Sequence, residues 1–423
     1  MSNSLRKLMV NAVKKAIIFA PFWREAGHVG NNRIDRFVRW LEEEDYRVII
    51  IRAGSADAIH NESWGQEITV CDRLGLYRDT EPGAPTANPR KPNKWRRALA
   101  YWLFNPDPTV VWARSAARDP TVVEATKGAH FILSSSPPES AHVGAWILSR
   151  KTLVPHIVDM RDGWLDEPLK PLLRSSALRR WLEGRLERRI LQDAKGIQVT
   201  SAIWKHLLRE RYPQLDSKVQ VLTNGYPENT QALRAIEGDR VDNDKIVLIH
   251  AGRFTGSRLT QHPALLLEPL LKSLTNAPKT GVIRLIGALT QEELAEIAPY
   301  EPRFQAIGWE IETPGAIPRF ELLAQLPGAS GLLLLSASYA ALPSKLFEYI
   351  PTGLPLFVVT GKGSATWGVC KQLPQATIVD IATTANDGSA NESNSFYEKL
   401  GCSVPDDYSE YQLSLEFKAF IKL

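Results

Sequence analysis

The run Leu342-Pro343-Ser344-Lys345-Leu346-Phe347-Glu348-Tyr349-Ile350-Pro351-Thr352-Gly353-Leu354-Pro355 sets an anion-binding element beside a hydroxyl-binding one. Pro343 and Ser344 stand where a helix begins, Ser344 as its expected cap, and Pro351 with Gly353 ends that helix within about two turns. Free backbone N–H groups at such a start attract an anion. Glu348, one turn on from Ser344, faces the same way and can accept from hydroxyl groups. A phosphate and a hydroxylated sugar can therefore be held side by side. The plainer alternative is that Glu348 complements a helix dipole and that proline and glycine punctuate an ordinary α/β repeat.

The elements around this run must position it. Gly331 to Ser336 and Leu356 to Val359 are short apolar runs bounded by breakers, and both are expected to be buried parallel strands. The same alternation opens the chain. Strand Ala16 to Ala20 leads into a loop holding Gly27 and Gly30, then a helix with Ile34, Phe37, Val38 and Leu41 on one face, then strand Arg47 to Ile51. This is a Rossmann-like βαβ opening, although its glycines do not have the dinucleotide spacing and such a pair more often marks a turn. Residues Ile59 to Pro92 are rich in Gly, Pro and Asp and predict loops, with one strand around Glu67 to Cys71. A strand from Phe131 then enters Ser134-Ser135-Ser136-Pro137-Pro138, followed by a helix carrying His142. Strand Pro155 to Val158 leads to Asp159-Met160-Arg161-Asp162-Gly163-Trp164. Polar residues at the carboxyl ends of parallel strands are where α/β folds place their sites. His142 either reaches a bound sugar or is satisfied locally, and Asp159 and Asp162 can equally pair with Arg161 to shape the loop.

Further units follow at Gly196 to Thr200, Ala202 to Tyr212 and Lys218 to Leu222. A second series begins at Ile246-Val247-Leu248-Ile249-His250-Ala251-Gly252-Arg253, with strands expected at Val282 to Ile286, Gln305 to Gly308 and Leu332 to Leu335. Thr383 to Ser395 is of low complexity and predicts a surface loop, and Tyr408 to Leu423 predicts a final helix.

At 423 residues the chain is long for one core, so two domains are expected. Its 44% hydrophobic and 23% charged residues suit a soluble globular protein. Cys71, Cys370 and Cys402 lie far apart, which argues against a disulfide framework or a cysteine-rich metal site and fits a reducing cytosol. Basic residues before Lys15 precede an apolar stretch too short for a secretion signal. Membrane contact is expected to be peripheral, since no run approaches the roughly 20 apolar residues of a span. A net charge of +4 does not suggest nucleic acid as a partner.

The Leu342 to Pro355 run resembles the donor-site signature of GT-B glycosyltransferases, especially the family 4 retaining enzymes. The resemblance implies an α/β fold of two Rossmann-like domains facing each other across a cleft, covering most of the chain. It places the acceptor domain at 1–226, a linker at 227–245, the nucleotide-sugar domain at 246–407 and a helix at 408–423 packing back on the first domain. It also implies that Ser344, Lys345 and Glu348 bind the donor nucleotide, Glu348 through the ribose hydroxyls. Arg253 and Arg258 match the family's two basic residues at the donor diphosphate, although the second is usually Lys. Guanidinium groups grip phosphate oxygens in a bidentate way and neutralise a leaving diphosphate; two surface arginines on a polar loop are the alternative. Gly27 and Gly30 match the glycine loop facing the cleft, and His142 and Asp162 match acceptor-domain segments lining it. One departure is Ala340, which stands where the family has an acidic residue near the transferred sugar.

The implied function is sugar transfer from a nucleotide-diphosphate sugar to a glycan or lipid-linked acceptor in cell-surface polysaccharide or glycoconjugate synthesis. No metal ion or separate cofactor is expected, and the location is cytoplasmic, with the inner membrane face as a contact surface. Two rivals stay open: a GT-B sugar-nucleotide epimerase, and a nucleotide-sugar-binding subunit without turnover. Two basic stretches bear tryptophans, Asn93 to Phe104 and Leu178 to Arg189, and ten of the twelve tryptophans precede residue 205. Each stretch is either a helix with solvated charges or one lying on an anionic membrane surface.

Overall fold

Short runs of Ile, Val, Leu and Phe, with no alternating polar face, can be buried only as central strands covered on both sides by helices. In the computed structural model, which describes residues 14–25, 30–75, 103–166, 176–226, 245–254, 261–275, 277–384 and 405–422, they form two separate sheets. The chain divides into two units, one of residues 1–200, 205–222 and 416–423 and the other of residues 201–204 and 223–415.

The first unit holds β1 (Lys14–Phe19), β2 (Tyr46–Gly54), β3 (Ala58–Glu62), β4 (Gly65–Cys71), β5 (Phe131–Ser136), β6 (His156–Met160), β7 (Gly196–Val199) and β8 (Val219–Val221). Their order is β3-β4-β2-β1-β5-β6-β7-β8, parallel throughout except for β3 against β4. The β3–β4 hairpin is an addition to the sequence expectation, which had only loops and one strand here. Its edge strand, Ala-Ile-His-Asn-Glu, pairs on one side and is half polar, so it lacks an apolar run. Helices α1 (Asn31–Glu42), α2 (Val110–Ala116), α3 (Pro120–Thr126), α4 (Ser140–Thr152), α5 (Ala177–Asp193) and α6 (Ala202–Arg211), the last belonging to this unit from residue 205 on, connect the strands. Ile17, Phe19, Ile49, Ile51 and Ile132 pack with Trp112, Ala141, Ala145 and Leu148 on one face of this sheet.

The second unit holds β9 (Ile246–Ala251), β10 (Gly281–Ile286), β11 (Trp309–Gly315), β12 (Gly331–Ser336), β13 (Leu356–Thr360) and β14 (Ala376–Asp380), ordered β11-β10-β9-β12-β13-β14 and all parallel. Its helices are α7 (Pro263–Leu274), α8 (Gln291–Ile297), α9 (Glu301–Gln305), α10 (Arg319–Gln325), α11 (Leu346–Tyr349), α12 (Ala365–Cys370) and α13 (Ile381–Thr384). Alternate residues of β12 show why both faces are dry: Leu332 and Leu334 meet Leu346, Phe347 and Ile350, whereas Leu333 and Leu335 meet Leu266, Leu267 and Leu270. The strand expected at Gln305 to Gly308 begins instead at Trp309. Gly308, with φ +80, turns the chain out of α9 just before it.

Helix α14 (Glu410–Ile421) closes the chain. Its residues from 416 onward belong to the first unit, where Phe417 stacks on Phe37 at 4.8 Å and Lys418 pairs with Glu43 at 2.7 Å. Among the described residues no helix is long and apolar enough to cross a membrane.

Candidate functional site

In the second sheet the chain leaves β9 toward β10 on one side and leaves β12 toward β13 on the other. The carboxyl ends of β9 and β12 therefore flank a switch point, where parallel sheets leave a crevice for ligands. Gly252 and Arg253 follow β9, and the segment up to Lys345 follows β12. Three contacts fix the β9 loop. Gly252 N–H donates to Ile286 O at 2.6 Å, and Phe254 N–H donates to Glu293 Oε1 at 2.9 Å. The Phe254 ring stacks on His250 at 4.3 Å. Glu293 is buried and also completes a capping box with Thr290 at the start of α8. Arg253, held between these anchored neighbours, is exposed and makes no ion pair among the described residues.

Gly252 has φ +91, a conformation that disfavours a side chain, and a Cβ there would lie 3.2 Å from Lys345 Nζ. The missing side chain lets the Lys345 ammonium lie over the end of β9. Burial pulls its pKa down to about 8, with the charge of Glu348 opposing. Ala251 N–H donates to Tyr349 Oη at 2.9 Å, which ties α11 to the same strand end.

The expected helix start is corrected by one residue. Ser344 is exposed and does not cap; Lys345 is the N-cap residue, in helical conformation and without a side-chain cap bond. The first turn closes on main chain instead, with Leu346 N–H on Pro343 O and Phe347 N–H on Ser344 O. Only α11 and one 3-10 turn, Ile350–Thr352, follow before Gly353 ends the helix at φ +65. Glu348 is half-buried on α11, and Arg319 donates to its Oε1 through both Nε, 2.9 Å, and Nη2, 2.7 Å. Sequence reasoning missed Arg319, because nothing in its local sequence marks it as Glu348's neighbour. Glu293 was also missed, although the Thr290-x-x-Glu293 pattern was there to find it. Ala340 is buried and brings no carboxylate. Arg258 and Gly27 lie outside the described residues, as does nearly all of the Asn93 to Phe104 stretch.

The first sheet has its own switch point, between β1 and β5. A small cavity of about 20 Å³ lies there, lined among others by Trp23, Gly30, Ser135, Pro137 and Arg161. Gly30 precedes α1, and a Cβ on it would lie 1.9 Å from Arg161 Nη1, so a side chain there would require the Arg161 guanidinium to move. Arg161 does not pair with Asp159. Its Nε donates to Ser136 O and its Nη2 to Pro137 O, each at 2.8 Å, and burial lowers its pKa while Asp162 and Asp159 oppose the shift. Asp159 is fully buried and instead takes Arg33, Nη2 to Oδ1 at 2.7 Å, together with the Ser135 hydroxyl at 2.7 Å. Asp162 is half-buried beside Arg161.

His142 is corrected from a sugar-facing residue to an interior one. It has no exposed surface, and its Nδ1 lies 2.7 Å from Ser134 Oγ, which also meets His156 Nε2 at 2.7 Å. One hydroxyl proton cannot serve both rings, so Ser134 donates to one imidazole and accepts from the other. Burial, with His142 nearby, pulls His156 down to about 3. The folded chain therefore keeps His156 neutral, whereas the unfolded chain takes up a proton below about pH 6.5. The stability due to this depressed pKa is present above pH 6.5 and is lost as pH falls toward the folded value, about 2 kcal/mol between pH 6.5 and 5. Urea unfolding of the first unit at those two pH values checks this, and an unchanged midpoint contradicts it.

Among the described residues no three His, Cys, Asp or Glu side chains gather to hold a metal ion.

Residues 30–225 match the family described as glycosyl transferase 4-like domain. Sucrose-phosphate synthase from Thermosynechococcus elongatus superposes with a TM-score of 0.60 at 11% identity, covering 97% of this chain and 98% of that one. HepE of Anabaena, in complex with UDP and glucose, gives 0.57 at 11% identity over 97% and 99%. The lipopolysaccharide outer core galactosyltransferase WaaB gives 0.54 at 12% identity over 97% and 100%. The fold is thus GT-B. No curated protein sequence matches significantly.

Proposed function

We propose that this chain, whose residues 30–225 match the glycosyl transferase 4-like domain, transfers a sugar from a nucleotide-diphosphate sugar to a glycan or lipid-linked acceptor. The reaction retains anomeric configuration, takes place on the cytoplasmic side and needs no metal ion. The observation that carries this reading is the placement of Arg253, Lys345 and Glu348 around one switch point, with the Lys345 ammonium lying over Gly252. Two cations suit a diphosphate, and a carboxylate one helical turn from Lys345 suits ribose hydroxyls. Arg253, Lys345 and the expected Arg258 stabilise charge developing on the leaving diphosphate, an electrostatic effect set up before reaction. His142 has no direct part, since it is buried; Asp162, beside the first-sheet cavity, remains the candidate on the acceptor side.

HepE's complex makes UDP the first nucleotide to test. Calorimetry of the wild-type chain and of Glu348→Ala checks the ribose assignment. The variant is expected to bind UDP about 10- to 100-fold more weakly, the scale of hydrogen bonds to a charged group. Its stability is expected to change by only ~0.3–1 kcal/mol. Equal UDP affinity in both proteins contradicts the assignment. Ala340 supports a second reading, a nucleotide-sugar binder without turnover. UDP binding without donor hydrolysis or transfer selects it, and loss of activity on adding EDTA contradicts the metal-free mechanism.

A further inference from the structure

Helix α5 runs for 17 residues from a Ser176 cap that accepts from Arg179 N–H at 3.2 Å. Both of its interior glutamates turn inward. Glu183 is bound by Trp164 Nε1 at 2.9 Å and Arg179 Nε at 2.6 Å, and Glu187 by Tyr212 Oη at 2.8 Å and Arg211 Nη1 at 3.3 Å. The final residue, Asp193, is held by Trp146 and Arg150. No carboxylate is left to balance the outer face.

That outer face is also apolar where a solvated helix would be polar. Leu178 is 67% exposed, Trp181 56% and Leu182 41%. At about 100° per residue, these three fall with Arg185, Arg188 and Arg189 inside roughly one third of the helix circumference. The apolar side chains occupy its first half and the arginines its second. Arg185 lies over the Trp181 ring at 5.0 Å, Arg188 over the Tyr212 ring at 5.5 Å and Arg189 over the Trp146 ring at 5.8 Å, and none of the three arginines makes an ion pair among the described residues, so their charges are left unneutralised. An ordinary solvated face mixes both signs of charge and keeps its Leu and Trp inside.

We propose that this face of α5 docks on an anionic bilayer surface. The helix lies in the plane of the membrane, with Leu178, Trp181 and Leu182 entering the headgroup boundary and Arg185, Arg188 and Arg189 on lipid phosphates. Charge complementarity selects this occupant over a second copy of the chain. Two such faces brought together in parallel would oppose arginine to arginine, an antiparallel pair would set arginines on the other copy's leucines and tryptophan, and three apolar side chains are too few for a stable dimer core. Vesicle binding needs no nucleotide, so it stands or falls apart from the donor-site reading.

The test is co-sedimentation of the full chain with vesicles of phosphatidylcholine alone and of phosphatidylcholine mixed with phosphatidylglycerol. Binding is expected only to the anionic vesicles and is expected to weaken as salt screens it. Arg185→Gln combined with Arg188→Gln and Arg189→Gln should lower partitioning about 100-fold, at roughly fivefold per arginine. Leu178→Ser with Trp181→Ser should lower it with the charges intact. Thermal melts confirm that the variants fold, and if the triple variant does not, the serine pair and the wild-type salt titration still decide. Equal sedimentation with neutral vesicles, salt-insensitive binding, or undiminished binding of either folded variant overturns the proposal. So does a concentration-dependent dimer that Trp181→Ser abolishes in a chain that ignores vesicles, which would assign the face to a second copy.

Discussion

Replacing Arg253 with alanine is expected to lower turnover at saturating donor by roughly 100-fold or more, with a smaller loss of donor affinity. The expectation rests on how its backbone is held. Gly252 is bonded to Ile286 and Phe254 to Glu293, and Phe254 stacks on His250. The backbone carrying this guanidinium is anchored at both neighbouring residues before reaction, so less of its effect is lost to reorganisation. The charge it meets grows as the sugar leaves the diphosphate, so the interaction strengthens in the transition state, which is the condition for an effect on turnover. Removing one donor of this kind typically costs about 3 kcal/mol or more in activation free energy. Arg253→Lys should recover part of the loss, because it keeps the charge and gives up the bidentate grip. Steady-state measurements that separate kcat from KM decide: a loss confined to KM shows that Arg253 only binds, and favours the binder without turnover.

How much of this was legible in the sequence varied with the physics of each element. Buried parallel strands announce themselves through apolar runs, and so β1, β9, β12 and β13 fall where the composition put them, within a residue or two at their ends. The polar edge strand β3 had no such run, and the β11 boundary turned on one glycine in a left-handed conformation. At the site, local chemistry was readable and tertiary pairing was not. Glu348 and Lys345 stand out in their own run, but Arg319 reaches Glu348 from 29 residues away. Asp159 looked ready to bind its near neighbour Arg161, yet its partner is Arg33, 126 residues distant. His142 drew attention as a polar residue at a helix start; the fold spends it on Ser134 inside the first unit. Types and spacing identify groups that can do chemistry, whereas burial decides which of them face a ligand.

The Arg33–Asp159 pair gives the largest expected effect on stability. Asp159 has no exposed surface and Arg33 only 5%. Arg33 Nε reaches both carboxylate oxygens, at 3.1 and 3.0 Å, and its Nη2 reaches Oδ1 at 2.7 Å and Leu222 O at 3.0 Å. One ion pair thus joins α1, the carboxyl end of β6 and the residue after β8, while Ser135 adds the end of β5 through the same carboxylate. Asp159→Ala strands a buried guanidinium, and removing one partner of such a pair costs about 3–5 kcal/mol. For a unit of this size that corresponds to a fall in melting temperature of about 10 °C. Replacing both partners with apolar residues of similar volume, Arg33→Met with Asp159→Leu, should cost clearly less than Asp159→Ala alone. Desolvating two charges offsets much of their attraction, and the double variant leaves neither charge unpaired. Thermal unfolding of wild type, Arg33→Met, Asp159→Leu and the double variant closes the cycle. If the double variant loses as much as the two singles added together, the residues act independently and the pair does not hold the strand ends. If it recovers stability, the same protein then asks a functional question, because Arg161 and the first-sheet cavity sit just beyond Asp159: recovered stability with lost transfer would place the pair's value in shaping the acceptor side rather than in holding the fold.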